Sequence, residues 1–136
     1  MKREKIFICS RIGAENKEDF EKNLEYARIY ARWAVLNGYD PESTGYYYCS
    51  HLSDFNPEER LLGQELGRER LKNCKKILVV EDGRKYSSGM LADIAVAEEH
   101  KLSFINKNHK DIIDWLKEND SSLKNIFPVA FNDNRA

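Results

Sequence analysis

Apolar residues recur along the chain in two alternating forms, short unbroken runs and longer stripes with helical spacing. Ile6-Phe7-Ile8-Cys9 has charge before it and Ser10-Arg11-Ile12-Gly13 after it, the mark of a strand buried on both faces. From about 16 to 37 the spacing turns helical. Phe20, Leu24, Ala27, Ala31 and Ala34 form one stripe able to cover a sheet, and Gly38 stands where a helix C-cap is expected. A second stripe, Tyr26, Ile29, Trp33 and Leu36, faces nearly the opposite way with no evident layer to bury it. It reads either as a homodimer surface, open to larger homo-oligomers, or as ordinary scattered surface residues.

Tyr39 to Leu52 mixes turn residues with aromatic β-formers, and a strand is expected around Tyr46 to Cys49. Asn56-Pro57-Glu58-Glu59 supplies an N-cap, a proline at the first helical position and a glutamate at the third, so a helix should run from Pro57 to about Asn73. Gly63 and Gly67 share one face of it, which admits a close-packed backbone or a ligand. Ile77-Leu78-Val79-Val80 is a second buried strand, followed by the polar loop Glu81-Asp82-Gly83-Arg84-Lys85. Ser87-Ser88-Gly89 opens a helix reaching about His100, Leu102 to Ile105 reads as a strand and Asp111 to Leu116 as part of a helix. Ser121 to Ala136 reads as a strand or as a trailing segment. Strands alternating with helices through short connections predict an α/β fold, an open parallel sheet with helices on both faces. Ligands of such sheets sit outside the C-terminal strand ends, here the loops after Cys9 and Val80.

At 136 residues this is one domain covering 1–136, with 41% hydrophobic and 33% charged residues, a globular composition. A formal net charge of -1 provides no basic field for a nucleic-acid polymer or an anionic membrane surface. The three scattered cysteines, and the lack of an 18-residue apolar run or a leader pattern after the charged first residues, point to a reduced, cytoplasmic protein.

The sequence has no glycine-rich dinucleotide fingerprint, no Walker-type phosphate loop and no His-Glu-x-x-His helix, so no cofactor is expected. Cys49 and His51 have the spacing of half a metal site, but no second pair completes it, and a loop cysteine beside a satisfied histidine is the better reading. The strongest constellation is Ser87-Ser88-Gly89-Met90-Leu91-Ala92-Asp93. Its serines can cap the helix and leave backbone N–H groups for an anion. Asp93 is the one polar side chain between Met90 and Ala97. Either it is a carboxylate kept in apolar surroundings for use, or it lies on the helix's polar edge toward His100.

The strand Ile6 to Ser10, the helix with Asn23 and Ala27, Asn56-Pro57-Glu58-Glu59-Arg60 with Gly63 and Gly67, the strand after Cys74, and Ser87-x-Gly89-Met90 before a carboxylate together resemble the nucleoside 2-deoxyribosyltransferase superfamily. The likeness covers about residues 5–105 and is nearest to a small branch found in bacteria and their phages. It implies a flavodoxin-like sheet, homodimers, and a pocket for a nucleoside or nucleotide derivative at the strand ends. It also implies a nucleophile that attacks the sugar C1′, which falls on Asp93. The superfamily has Glu there, so this carboxylate is shorter by one methylene, ~1.5 Å. Ser10-Arg11-Ile12 replaces a proline-containing loop, and Ser87 stands where an acidic residue opens the motif. If the site works, Arg11 and the Ser87 and Ser88 amides would hold a 5′-phosphate and Tyr48 would stack on the base, with Ser10, Asp82, Gly89 and Met90 completing the ligand-binding set. Loss of one acid and shortening of the other suits a second reading, a binder that sequesters a nucleotide or ADP-ribose-like signal. A third is an interaction module with a vestigial pocket. Arg60 is expected to brace its own helix or the loop after Val80.

Overall fold

The computed structural model describes residues 2–127. Its elements in chain order are β1 (Lys5–Cys9), α1 (Lys17–Leu36), β2 (Asp40–Glu42), α2 (Thr44–Cys49), α3 (Pro57–Leu71), β3 (Lys76–Glu81), α4 (Ser88–Glu99), β4 (Ser103–Asn108), α5 (His109–Asn119) and α6 (Leu123–Ile126). The strands form one sheet in the order β2-β1-β3-β4, and every pair is parallel. This is the flavodoxin-like order over four strands, and its direction reverses between β1 and β3.

Strand alternation divides the core in two. Ile6, Ile8, Leu78 and Val80 face α1, α5 and α6, whereas Phe7, Cys9, Ile77 and Val79 face Leu71 of α3 and Met90 and Ala97 of α4. β1 and β3 are therefore apolar on both sides, as their unbroken runs require. The expected caps form at Asn56, which accepts from the Glu58 and Glu59 amides, and at Gly38, which takes a φ of 94° just past α1; Asn16 caps the start of α1 by accepting from the Asp19 amide.

Three expectations are corrected. The segment Tyr46 to Cys49 is helical, part of α2, and the adjacent strand is Asp40–Glu42. Pro41 is tolerated there because β2 is a sheet edge. The second stripe of α1 is not an outer surface. Tyr26, Ile29 and Trp33 lie in the core with Ile112, Ile113 and Leu116 of α5, and only Leu36 is exposed. α5 packs on β4 beside α1, on the same face of the sheet, so α1 is covered along its flank as well as toward the strands. Finally, residues 123–126 form the turn α6, with Leu123 and Phe127 buried against α1; the remainder of the 121–136 segment lies outside the described residues.

Candidate functional site

A cavity of about 930 Å³ opens at the C-terminal end of β1, on the side of the sheet that carries α3 and α4. This is the size expected of a small-molecule site. Its walls come from the loop after β1, from α2 and the turn behind it, from one face of α3 and from the start of α4. Helix α2 closes on α3 through glycines: a Cβ on Gly67 would stand 2.9 Å from Thr44 Oγ1, and one on Gly63 would lie 3.6 Å from Tyr48 Cβ. The paired glycines thus serve helix packing, and that packing sets one rim of the cavity.

Ser10, Tyr48, Ser87, Ser88, Gly89, Met90 and Asp93 all line this space. Ser87 caps α4, its Oγ accepting from the Met90 amide at 3.2 Å, and a Cβ on Gly89 would meet nothing nearer than Gln64 Nε2 at 3.8 Å and Ser87 Oγ at 4.0 Å, so the first turn stays open toward the cavity. The Tyr48 hydroxyl accepts from Arg70 Nε at 3.1 Å, which fixes the ring against α3. The Ser10 hydroxyl is buried and has no hydrogen-bond partner among the described residues. Such an orphan at a cavity wall is a place for a ligand's polar atom.

Asp93 lies one turn into α4. Its side chain is 24% exposed, and Arg68 of α3 donates from Nε to its Oδ1 at 3.2 Å. Burial pushes its carboxyl up to about 6, against a smaller downward pull from Arg68. His100, at the C-cap of α4, is exposed and is not its partner. Asp93 is therefore a partly buried carboxylate in the cavity wall, the kind of group that marks functional sites. Cys49 also lines the cavity, but burial first and Asp54 second push its thiol up to about 11, which removes it as a nucleophile.

Two arginines and four carboxylates line the space. Arg68 is engaged by Asp93, and Arg60 pairs with Asp54 at 3.7 Å beside Gly13 rather than bracing the loop after β3. Glu59 accepts from the Ser53 amide at 3.1 Å and so pins the turn before α3.

Arg11 and Asp82 do not join this set; both line a second cavity across the sheet. Arg11 donates from Nε to Asp82 Oδ2 at 3.1 Å and from its terminal nitrogen to the Lys85 carbonyl, clamping the loop after β1 to the loop after β3. The expected phosphate role for Arg11 in the Asp93 cavity is corrected accordingly: its side chain is spent on that clamp. Asn23, named only through the resemblance, holds the loop after β1 by donating to the Ile12 carbonyl at 3.0 Å and the Gly13 carbonyl at 3.4 Å. Ser10 is among the residues expected at the site, whereas Arg68 is not. Arg68 reaches Asp93 across 25 residues of sequence, and its only local sign is its place beside Gly67.

Among the described residues no group of three or more His, Cys, Asp or Glu side chains is placed to hold a metal ion. Cys9, Cys49 and Cys74 are free, and no described helix is long and apolar enough to cross a membrane. His51 is engaged by Ser50 and by the Tyr47 and Tyr48 rings. A family model described as a domain of unknown function, DUF7768, matches residues 4–107. No curated protein matches the chain.

Proposed function

Because the chain belongs to the DUF7768 family, whose description assigns no chemistry, we propose a function from the site itself: the protein binds a nucleoside or nucleotide derivative beside Asp93 and cleaves or exchanges its N-glycosidic bond. The observation that carries this reading is a partly buried carboxylate, pushed up to about 6, in the wall of a cavity large enough to hold a nucleoside. The likeness of its helix start to that of the deoxyribosyltransferases supports it.

In this reading the Asp93 oxygen not held by Arg68 forms a bond to C1′ as the bond from C1′ to the base nitrogen breaks. The bonding electron pair leaves with the base, which takes up a proton. The transition state has oxocarbenium character, and water or a second base then attacks C1′ to release the Asp93 carboxylate, as in retaining glycosidases. Tyr48 offers its ring face to the base, and the Ser10 hydroxyl meets a polar atom of the ligand. Attack needs the ionised carboxylate, so kcat/KM should rise with pH through about 6.

The test is a panel of deoxynucleosides, nucleoside monophosphates, NAD and ADP-ribose-like nucleotides, with free base and retained ligand quantified by mass spectrometry. Base release from one member that is lost in Asp93→Ala supports the proposal; release unchanged in Asp93→Ala overturns the nucleophile. A second reading, capture without turnover, is favoured by one specific contact. Arg68 occupies one oxygen of a carboxylate that is already a methylene short. A misplacement of ~1 Å costs on the order of 100-fold in rate. Stoichiometric retention of one intact member without base release would select it.

A further inference from the structure

The second cavity, about 550 Å³, opens at the same end of the sheet but on the opposite face, between α1 and α5. Its charge is opposite in sign to that of the Asp93 cavity. Arg11, Arg84 and Lys110 line it against one carboxylate, Asp82. That carboxylate serves two guanidinium groups. Arg11 Nε lies 3.1 Å from Oδ2, Arg84 Nη2 lies 2.7 Å from the same oxygen, and the Arg84 amide donates to Oδ1 at 3.0 Å. One arginine charge is thus left over. Lys110 pairs with Asp114 at 2.7 Å, but both are largely exposed, and such a pair is screened and readily exchanged. The deeper wall is polar as well as aromatic. Asn23 is 5% exposed, its side chain donates from Nδ2 to the Ile12 and Gly13 carbonyls, and its Oδ1 accepts none from a described residue. Tyr26 and His109 meet edge to face at 4.7 Å beside it, and the Tyr30 hydroxyl is 2.6 Å from His109 Nδ1.

We propose that this cavity is a second ligand site, selective for a phosphorylated small molecule. Arg84 and Lys110 meet the phosphate, and the Asn23 side-chain carbonyl accepts from a hydroxyl or amino group of the organic part. A dianion matches the surplus positive charge of the lining, and an arginine with a lysine is a common phosphate-binding pair. The Asp93 cavity, with four carboxylates to two arginines, has no such surplus of positive charge. The inference goes beyond the proposed N-glycosidic chemistry and does not depend on it.

The experiment is an amide chemical-shift titration of the full chain with AMP, inorganic phosphate and adenosine, repeated on Arg84→Gln/Lys110→Gln and on Asp93→Asn. AMP is expected to move the amides of Gly83, Arg84, His109 and Lys110, with adenosine leaving them in place. Its affinity should fall roughly tenfold or more in the double variant and stay the same in Asp93→Asn. Inorganic phosphate should follow AMP in site and bind more weakly. The proposal is overturned if AMP moves only residues 87 to 93, if the double variant binds as tightly, if inorganic phosphate binds as well as AMP, or if no amide near Arg84 and Lys110 moves at millimolar ligand. Arg84 and Lys110 are exposed, so an unchanged spectrum elsewhere establishes that the double variant is folded. Base release by the Asp93 cavity is a separate readout, and either result there leaves this one standing or falling alone.

Discussion

Replacing Asp93 by asparagine should stabilise the protein above neutral pH, and the gain should vanish in acid. The carboxyl is raised from 3.8 in the unfolded chain to about 6 in the fold, chiefly because burial penalises its charged form. A gap of that size corresponds to about 3 kcal/mol at 1.36 kcal/mol per unit. The sign follows from proton binding. Between the two values the folded state holds a proton that the unfolded state has lost, so stability falls as pH rises through this window. Above about 6 the ionised group carries its full cost, and below 3.8 it carries none. Asparagine has nearly the shape of the protonated acid and never ionises. Urea unfolding at pH 7.5 should therefore show Asp93→Asn more stable than the parent by up to about 3 kcal/mol, shrinking to about 1 kcal/mol at pH 4.5. Equal stabilities at pH 7.5, or a difference that does not change with pH, would refute the argument that this carboxylate is held in the cavity at the fold's expense. Such a cost, borne by one group in a cavity, is the pattern expected where stability has been given up for function.

Three further outcomes test the packing. Gly67→Ala should lower stability by about 1 kcal/mol, since a methyl 2.9 Å from Thr44 Oγ1 overpacks the α2–α3 seam by more than alanine's helix propensity returns, whereas Gly63→Ala, with neighbours at 3.6 Å, should be neutral or gain up to ~1 kcal/mol; thermal unfolding separates them. Ile29→Ala should cost ~2–5 kcal/mol whatever the protein concentration, because Ile29 is core and not a subunit surface; a midpoint that depends on concentration in the parent and not in the variant would contradict this. Arg11→Ala should cost only about 1 kcal/mol, given the partly exposed pair with Asp82. It should also speed amide exchange across 10–14 and 82–86, the two loops it joins, and unchanged protection there would show that the clamp is not holding them.

The sequence made the alternation of strands and helices legible because β1 and β3 are apolar on both faces and because Asn56 and Ser87 sit at helix starts where their side chains bond the first free amides. Asp93 stood out for the same kind of reason, as a lone polar residue in an apolar turn. What was not legible depended on distant partners. Tyr46, Tyr47 and Tyr48 favour strands intrinsically, yet they lie on a helix because Gly63 and Gly67, far along the chain, accept α2 at close range. Tyr26, Ile29 and Trp33 looked unpartnered because the helix packed beside them, α5, lies some 80 residues downstream. Arg11 stood in the expected place for an anion binder, but its neighbour Asp82 lies across the sheet's reversal point and claims it.

Pro41 has a consequence for how copies of this molecule can meet. It sits in the middle of the three-residue strand β2, opposite Ile6, at one margin of the sheet. A proline carries no amide hydrogen, so a strand laid alongside that margin would find a donor missing at its centre and too few residues on either side to make up for it. The margin is blunt, and growth of the sheet from one molecule into the next is blocked on that side by a single ring.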